Sequence, residues 1–331
     1  MIRSVIQGTG HAVPERVVTN DDLARLMDTS DEWIRERTGI QERHWIRPGE
    51  TGVALAEAAG RIALDAAGIA PGDLDAIVYA SSTPDYFLPG NGVLLQHALG
   101  AASIPALDIR MQCSGFIYAL QVADAFIRLG TYRQILVVGQ EIQSTRMDLS
   151  TRGRGTAVIF ADGAGAVVLG PQEGNGRGIL AFDLHGDGGS ARKLWCEGPG
   201  AIGIPPVSLA DYEAGKYFLT MDGREVFRHA VSRMPESVRA ALANAGVGLE
   251  AVKLVIPHQA NLRISEAVQK QLGLRDDQVY NNIQRFGNTT SATIPIALDE
   301  CVRSSRVLPG DLLVFTAFGS GFLWGSCVLK Y

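Results

Sequence analysis

The chain has 331 residues, 46% of them hydrophobic and 20% charged, which is the composition of a folded globular protein with apolar material for one large core or two ordinary ones. Its 30 Lys and Arg against 35 Asp and Glu give a net charge of -5, which argues against a nucleic-acid binder held by bulk charge. No apolar run reaches the roughly 18 residues of a membrane span, and Met1-Ile2-Arg3-Ser4 leads directly into strand-like sequence rather than a secretory signal.

The predicted elements alternate between short apolar strands and longer helices, the signature of an α/β protein. In chain order, a helix is expected over 51–67, a buried strand over 76–80, a helix over 115–129 and a buried strand over 134–139. Ala157-Val158-Ile159-Phe160 and Ala166-Val167-Val168-Leu169 read as two strands flanking a turn at Ala161-Asp162-Gly163-Ala164-Gly165. That turn lacks the spacing and lysine of a phosphate-binding loop, so its glycines read as close packing. A polar stretch over 171–178 marks a boundary. Beyond it come a helix over 223–245, a strand at Leu254-Val255-Ile256-Pro257, helices over 263–272 and 291–304, and a strand over 312–317. Gly130 and Gly273 fall where helices end. The order of elements echoes between halves: Cys113-Ser114-Gly115 and Gly287-Asn288-Thr289-Thr290 each open a helix that is followed by a strand.

Chemistry-bearing residues cluster at those element ends. The four cysteines are Cys113, Cys196, Cys301 and Cys327, with no C-x-x-C pair and no His-Glu-x-x-His, so neither a disulfide scaffold nor a zinc site is indicated. Reduced thiols and a cytoplasmic protein are expected. Cys113 precedes a helix that is apolar nearly all round. Unpaired backbone N–H groups and the positive dipole end there favour thiolate over thiol. Position alone leaves a nucleophile and a buried structural cysteine both open; the other three read as loop, helix face and strand core. His258 follows a buried strand, where functional groups of α/β sheets gather, and can donate a hydrogen bond or take a proton near neutral pH. Asn288 reads as a helix N-cap or as a site residue. Gly319-Ser320-Gly321 reads as a turn or as a bare backbone aimed at an oxyanion.

Several ordered motifs carry a resemblance. They are Thr29-Ser30-Asp31-Glu32-Trp33-Ile34, Arg37-Thr38-Gly39-Ile40, Cys113-Ser114-Gly115-Phe116, Phe160-Ala161-Asp162-Gly163-Ala164-Gly165-Ala166, Pro257-His258-Gln259-Ala260-Asn261-Leu262-Arg263-Ile264, Gly287-Asn288-Thr289 and Ala317-Phe318-Gly319-Ser320-Gly321-Phe322. Together they resemble the ketoacyl-acyl-carrier-protein synthase III family of the thiolase fold, nearly end to end. The resemblance implies two pseudo-repeated halves, 1–173 with the cysteine and 174–331 with the histidine and asparagine. Each half would be a five-stranded sheet in an αβαβα stack, and the chain would pair as a homodimer. It implies a catalytic set of Cys113, His258 and Asn288, with the N–H groups of Cys113 and Ser320 as oxyanion hole. Acyl-CoA would load Cys113, and malonyl-acyl-carrier protein would lose CO2 and condense with the thioester; no metal or dissociable cofactor is needed. A thiolase would carry a second cysteine in the C-terminal glycine-rich loop, and the elongating synthases a histidine at Asn288. A Cys-His-Asn enzyme of secondary metabolism with another acceptor is the alternative.

The resemblance also assigns binding residues. Trp33, Arg37, Arg154, Gly223 and Asn261 would hold CoA, and Arg228, Arg263 and Lys270 would dock the acidic carrier protein. The acyl pocket would involve Leu88, reaching across the dimer, with Met111 and Gln112 near the nucleophile. Leu88 stands where the family often has Phe, Met111-Gln112 replace small residues, and 192–216 reads as a longer, irregular loop. Primers longer or bulkier than acetyl, medium-chain or branched, are the expectation.

Overall fold

In the computed structural model, which describes residues 2–174, 176–202 and 204–331, the uninterrupted apolar runs form strands buried on both faces. The first sheet contains β1 (Ile2–Ala12), β2 (Ala76–Ala80), β3 (Ala106–Ile109), β4 (Ile135–Ile142) and β5 (Asp162–Glu173), in the spatial order β1-β5-β4-β2-β3. β2 runs parallel to β3 and β4, while β5 runs antiparallel to β4 and β1. The second sheet contains β6 (Gly178–Gly186), β7 (Leu254–Pro257), β8 (Leu312–Gly319) and β9 (Leu323–Lys330), in the order β7-β8-β9-β6. β7 is parallel to β8, with Val255 opposite Val314, and the other pairs are antiparallel.

The two sheets repeat one plan, in which β6, β9, β8 and β7 take the places of β1, β5, β4 and β2. The expected fifth strand is missing from the second sheet among the described residues. A single bridge between Val255 and Val279 stands in its place. Side chains replace the backbone ladder there: Gln278 Nε2 donates to the Val252 carbonyl at 2.9 Å, and Gln259 Oε1 accepts from the Asn282 N–H at 3.1 Å.

Seven main helices cover the sheets: α1 (Asp31–Thr38), α2 (Gly52–Ala67), α3 (Asn91–Leu99), α4 (Gly115–Arg128), α5 (Gly223–Ala245), α6 (Leu262–Leu272) and α7 (Thr293–Arg303). α4 and α7 form the middle layer. Phe116, Ile117 and Leu120 of α4 and Ile294 and Leu298 of α7 share one core with Val78 and Val137 of the first sheet and Ile256 and Phe315 of the second. That is why α4 is apolar nearly all round: both its faces meet a sheet. α2 and α3 pack on the outside of the first sheet, and α5 and α6 on the outside of the second. The layers are therefore αβαβα, the thiolase-like stack expected from the sequence. Gly273 ends α6 at φ +69, and Gly130 takes φ +72 one residue past the α4 cap.

Two sequence expectations fail locally. Residues 157–160 are not a strand; a helical turn ends at Ala157, and of the four only Phe160 makes a bridge, to Asn288. Their apolar side chains are buried against Ile34, Ile40 and Trp45 in a satellite core, so burial without a sheet produced a strand-like pattern. The stretch 161–165 is not a turn either, because Asp162 starts β5. Its glycines do serve close packing: a Cβ on Gly165 would lie 2.8 Å from Pro295 Cβ of α7. The boundary expected over 171–178 is the passage from β5 to β6, which lie in different sheets; Asn175 falls outside the described residues. The segment 192–216 holds a two-residue strand, Leu194–Trp195, and a short helix, Leu209–Glu213, with Gly203 outside the described residues. No helix among the described residues is long and apolar enough to cross a membrane.

Candidate active site

Cys113 sits in a 3-10 turn, Gln112–Ser114, that feeds directly into α4. The first residue of that turn, Gln112, has φ +44, in the left-handed region that side chains disfavour by about 1–3 kcal/mol. The second half does the same. A 3-10 turn, Thr290–Ala292, feeds α7, and its first residue, Thr290, has φ +52. The echo read from the sequence is thus a repeated backbone device at two helix mouths.

The Cys113 side chain is buried and faces the end of β8. A Cβ on Gly319 would lie 2.5 Å from Cys113 Cβ and 2.8 Å from its Sγ, so only glycine fits there. The next residue aims its backbone N–H at the sulfur. The Ser320 hydroxyl is held away by donating to the Leu194 carbonyl at 2.5 Å. The expected thiolate-favouring environment is outweighed. Burial pushes the thiol up to about 12, the Glu141 carboxylate adds to this, and the N–H groups of Ser320 and Cys113 oppose it. At rest Cys113 is a thiol, because desolvation of the anion exceeds the pull of the helix mouth.

His258 follows β7 and is buried, its backbone N–H donating to the Thr316 carbonyl at 2.8 Å. Burial holds the imidazole down at about 3, so it is neutral at working pH. Its Nδ1 lies 2.7 Å from Thr293 Oγ1, while its Nε2 is buried with no partner among the described residues. Thr293 Oγ1 also lies 3.0 Å from the Thr290 carbonyl. When the hydroxyl proton goes to Nδ1, Nε2 carries the hydrogen and becomes a donor. Thr293 had no distinguishing signal in the sequence.

Asn288 is not the N-cap of α7, which starts five residues later. Its Oδ1 accepts from the Thr290 N–H at 2.8 Å, and its backbone bridges to Phe160. That pins the amide and leaves Nδ2 without a hydrogen-bond partner among the described residues. Cys113, His258 and Asn288 line one narrow cavity of about 130 Å³, together with Gly223, Phe227, Asn261 and Phe318.

This cavity is the throat between two larger spaces. Outward, Ile159, Gly223, Phe227 and Asn261 are shared with a surface pocket of about 600 Å³. All five residues expected at CoA line it: Trp33, Arg37, Arg154, Gly223 and Asn261. The Arg37 and Arg154 guanidiniums lie 4.7 and 4.9 Å from the Trp33 ring centroid, a cationic and aromatic surface suited to a purine and phosphates. Asn261 caps α6 and ties it to α1 by donating to the Arg37 carbonyl at 2.9 Å. Arg263, expected at the carrier-protein surface, lines this pocket too. Lys270 is exposed on the same helix, and Arg228 is exposed on α5, paired with Glu225 at 2.7 Å.

On the other side, Cys113, Phe160 and Leu194 are shared with a cavity of about 280 Å³. Gln112 lines it as expected, whereas Met111 does not. Leu88 lies on an exposed loop with Tyr86 and Phe87, at 79% exposure, away from its own chain's cavity. Sequence reasoning missed Arg110, Gln143, Arg146 and Cys196 around this cavity, because they come from three separate segments, with Gln143 and Arg146 sharing one turn.

Residues 107–188 match the 3-oxoacyl-[acyl-carrier-protein] synthase III family, and 242–331 match its C-terminal family. The chain is 45% identical over 331 residues to a beta-ketoacyl-[acyl-carrier-protein] synthase III from Rhizorhabdus wittichii, covering 100% of both chains. It is 46% identical over 330 residues to one from Xanthomonas campestris pv. campestris, covering 100% of this chain and 99% of the relative. The crystal structure of 3-oxoacyl-[acyl-carrier-protein] synthase III from Aquifex aeolicus VF5 superposes with a TM-score of 0.91 at 41% identity, over 99% of this chain and 100% of the other.

Proposed function

The chain belongs to the beta-ketoacyl-acyl-carrier-protein synthase III family, and from that premise we propose that it condenses an acyl-CoA primer with malonyl-acyl-carrier protein to start an acyl chain. The observation that carries the reading is the buried Cys113 at a helix mouth, sharing its cavity with a neutral His258 and a pinned Asn288.

In the first half-reaction the Cys113 sulfur attacks the acyl-CoA carbonyl. The sulfur–carbon bond to the enzyme forms, the one to CoA breaks, and the thiol proton leaves with the CoA sulfur. The tetrahedral oxyanion is held by the N–H groups of Cys113 and Ser320. In the second, malonyl-acyl-carrier protein loses CO2, and the electron pair passes to its thioester oxygen as an enolate. Nε2–H of His258 and Nδ2–H of Asn288 donate to that oxygen, a role that requires Thr293 to donate to Nδ1. The enolate carbon then attacks the acyl-Cys113 carbonyl. A carbon–carbon bond forms, the bond to sulfur breaks, and the thiolate takes a proton.

Carrier-protein docking by Arg228, Arg263 and Lys270, division of the chain at 173/174, and a homodimer complete the reading. Support for the dimer comes from the unpaired side of β3 at the sheet edge and the exposed apolar loop Tyr86-Phe87-Leu88. The four free cysteines support a cytoplasmic setting. Incubation with acyl-CoA should add one acyl mass to the peptide holding Cys113, and adding malonyl-acyl-carrier protein should release CO2. Adduct formation by Cys113→Ala refutes the assignment.

A further inference from the structure

The cavity beyond Cys113 is not the apolar chamber that a medium-chain or branched primer needs. Arg110 and Arg146 line it, no carboxylate does, and neither guanidinium has an ion pair among the described residues. The nearby Glu141 carboxylate does not neutralise them. It is fully buried and already accepts from the Ser82 N–H and hydroxyl, the Thr83 and Ser291 hydroxyls and Gln143 Nε2. The same bonds use up the Ser82 and Thr83 hydroxyl protons, so the two arginines are the strong donors left on this wall. The field of Arg146 also reaches the Cys196 thiol, which lines the same cavity. An alkyl chain filling this space strips water from two guanidiniums and returns nothing, whereas a carboxylate satisfies them with charge-assisted hydrogen bonds.

We propose that the acyl cavity takes a primer ending in a carboxylate, the CoA monothioester of a short dicarboxylic acid, with Arg110 and Arg146 holding the distal carboxylate. The inference rests on the reading that Cys113 is the acylated residue. The chemistry at the sulfur is unchanged: the CoA thiol leaves with the proton, and the product after condensation is a β-keto thioester with a free carboxylate at its far end. Both arginines are exposed at the cavity rim, so the preference is moderate, about ten- to a hundredfold, the worth of one charge-assisted hydrogen bond.

The test compares chains of matched length, succinyl-CoA against butyryl-CoA and glutaryl-CoA against valeryl-CoA, by initial rates of mass addition to the full-length enzyme. The carboxylated member of at least one pair should load at least about tenfold faster, and the advantage should shrink with added salt. In Arg110→Met/Arg146→Met the ratio of carboxylated to alkyl loading should fall by about the same factor. Equal or faster loading of the alkyl member in both pairs overturns the inference, as does a double variant that slows both members equally. Acetyl-CoA separates the two levels. If it and all four esters leave Cys113 unmodified, the underlying reading fails as well; if they load with the wrong preference, only this inference fails.

Discussion

Replacing Gly319 by alanine tests the oxyanion geometry at one atom. The new Cβ would sit 2.5 Å from Cys113 Cβ and 2.8 Å from Sγ, whereas carbon pairs rest at about 3.5–4.0 Å. Roughly 1 Å of movement is therefore needed. The cysteine cannot supply it by changing rotamer, because the clash includes its Cβ. Gly319 is the last residue of β8 and pairs with Leu323, so the displacement passes to the next peptide, Ser320, whose N–H points at the sulfur. An oxyanion donor works at about 2.7–3.1 Å, and losing one costs about 10²–10³ in kcat. Overpacking costs about 1–3 kcal/mol of stability, which leaves the protein folded. Gly319→Ala should thus melt a few degrees lower, keep its KM for acyl-CoA because that pocket lies elsewhere, and lose about two to three orders of magnitude in kcat. The assay is mass-detected acylation at saturating acyl-CoA beside thermal unfolding. A variant within threefold of wild-type kcat would refute the reasoning.

Three further outcomes are expected. Alkylation of Cys113 by iodoacetamide should rise about tenfold per pH unit from pH 6 to 10 without a plateau, because a thiol pushed up to about 12 gains thiolate throughout that range; a plateau near pH 7 would mean that the helix mouth outweighs burial. His258→Ala and Asn288→Ala should accept the acyl group yet release CO2 from malonyl-acyl-carrier protein about 10²–10³ more slowly, and normal release in either variant removes that residue from the second half-reaction. Lys270→Glu should raise KM for malonyl-acyl-carrier protein, in a salt-dependent way, far more than for acyl-CoA, whereas Arg263→Glu should raise both because Arg263 also lines the surface pocket; equal effects of Lys270→Glu on both substrates would take it off the docking surface.

The elements that position the site were legible in the sequence because each is a long periodic segment with a clear end. α4 after Cys113, β7 before His258 and α7 after Asn288 all fall within two residues of expectation. The residue assignments themselves came from ordered motifs that neither periodicity nor charge could supply. Where legibility ended, the cause was tertiary. Val158 and Ile159 look like a strand because a satellite core buries them as thoroughly as a sheet would. The left-handed conformations of Gln112 and Thr290 carry no glycine to announce them. Thr293 matters through one hydroxyl beside His258, thirty-five residues away in sequence. Arg110 and Arg146 look like ordinary surface charges until the fold brings them to one cavity.

The throat that joins the surface pocket to Cys113 is about 130 Å³, set between spaces of about 600 and 280 Å³. It holds one slender thioester arm at a time. Two thioesters arriving by this route must queue: the spent CoA has to withdraw before the carrier's arm can thread the same passage. A passage of that size favours a double-displacement order, in which free CoA competes against the second substrate rather than the first.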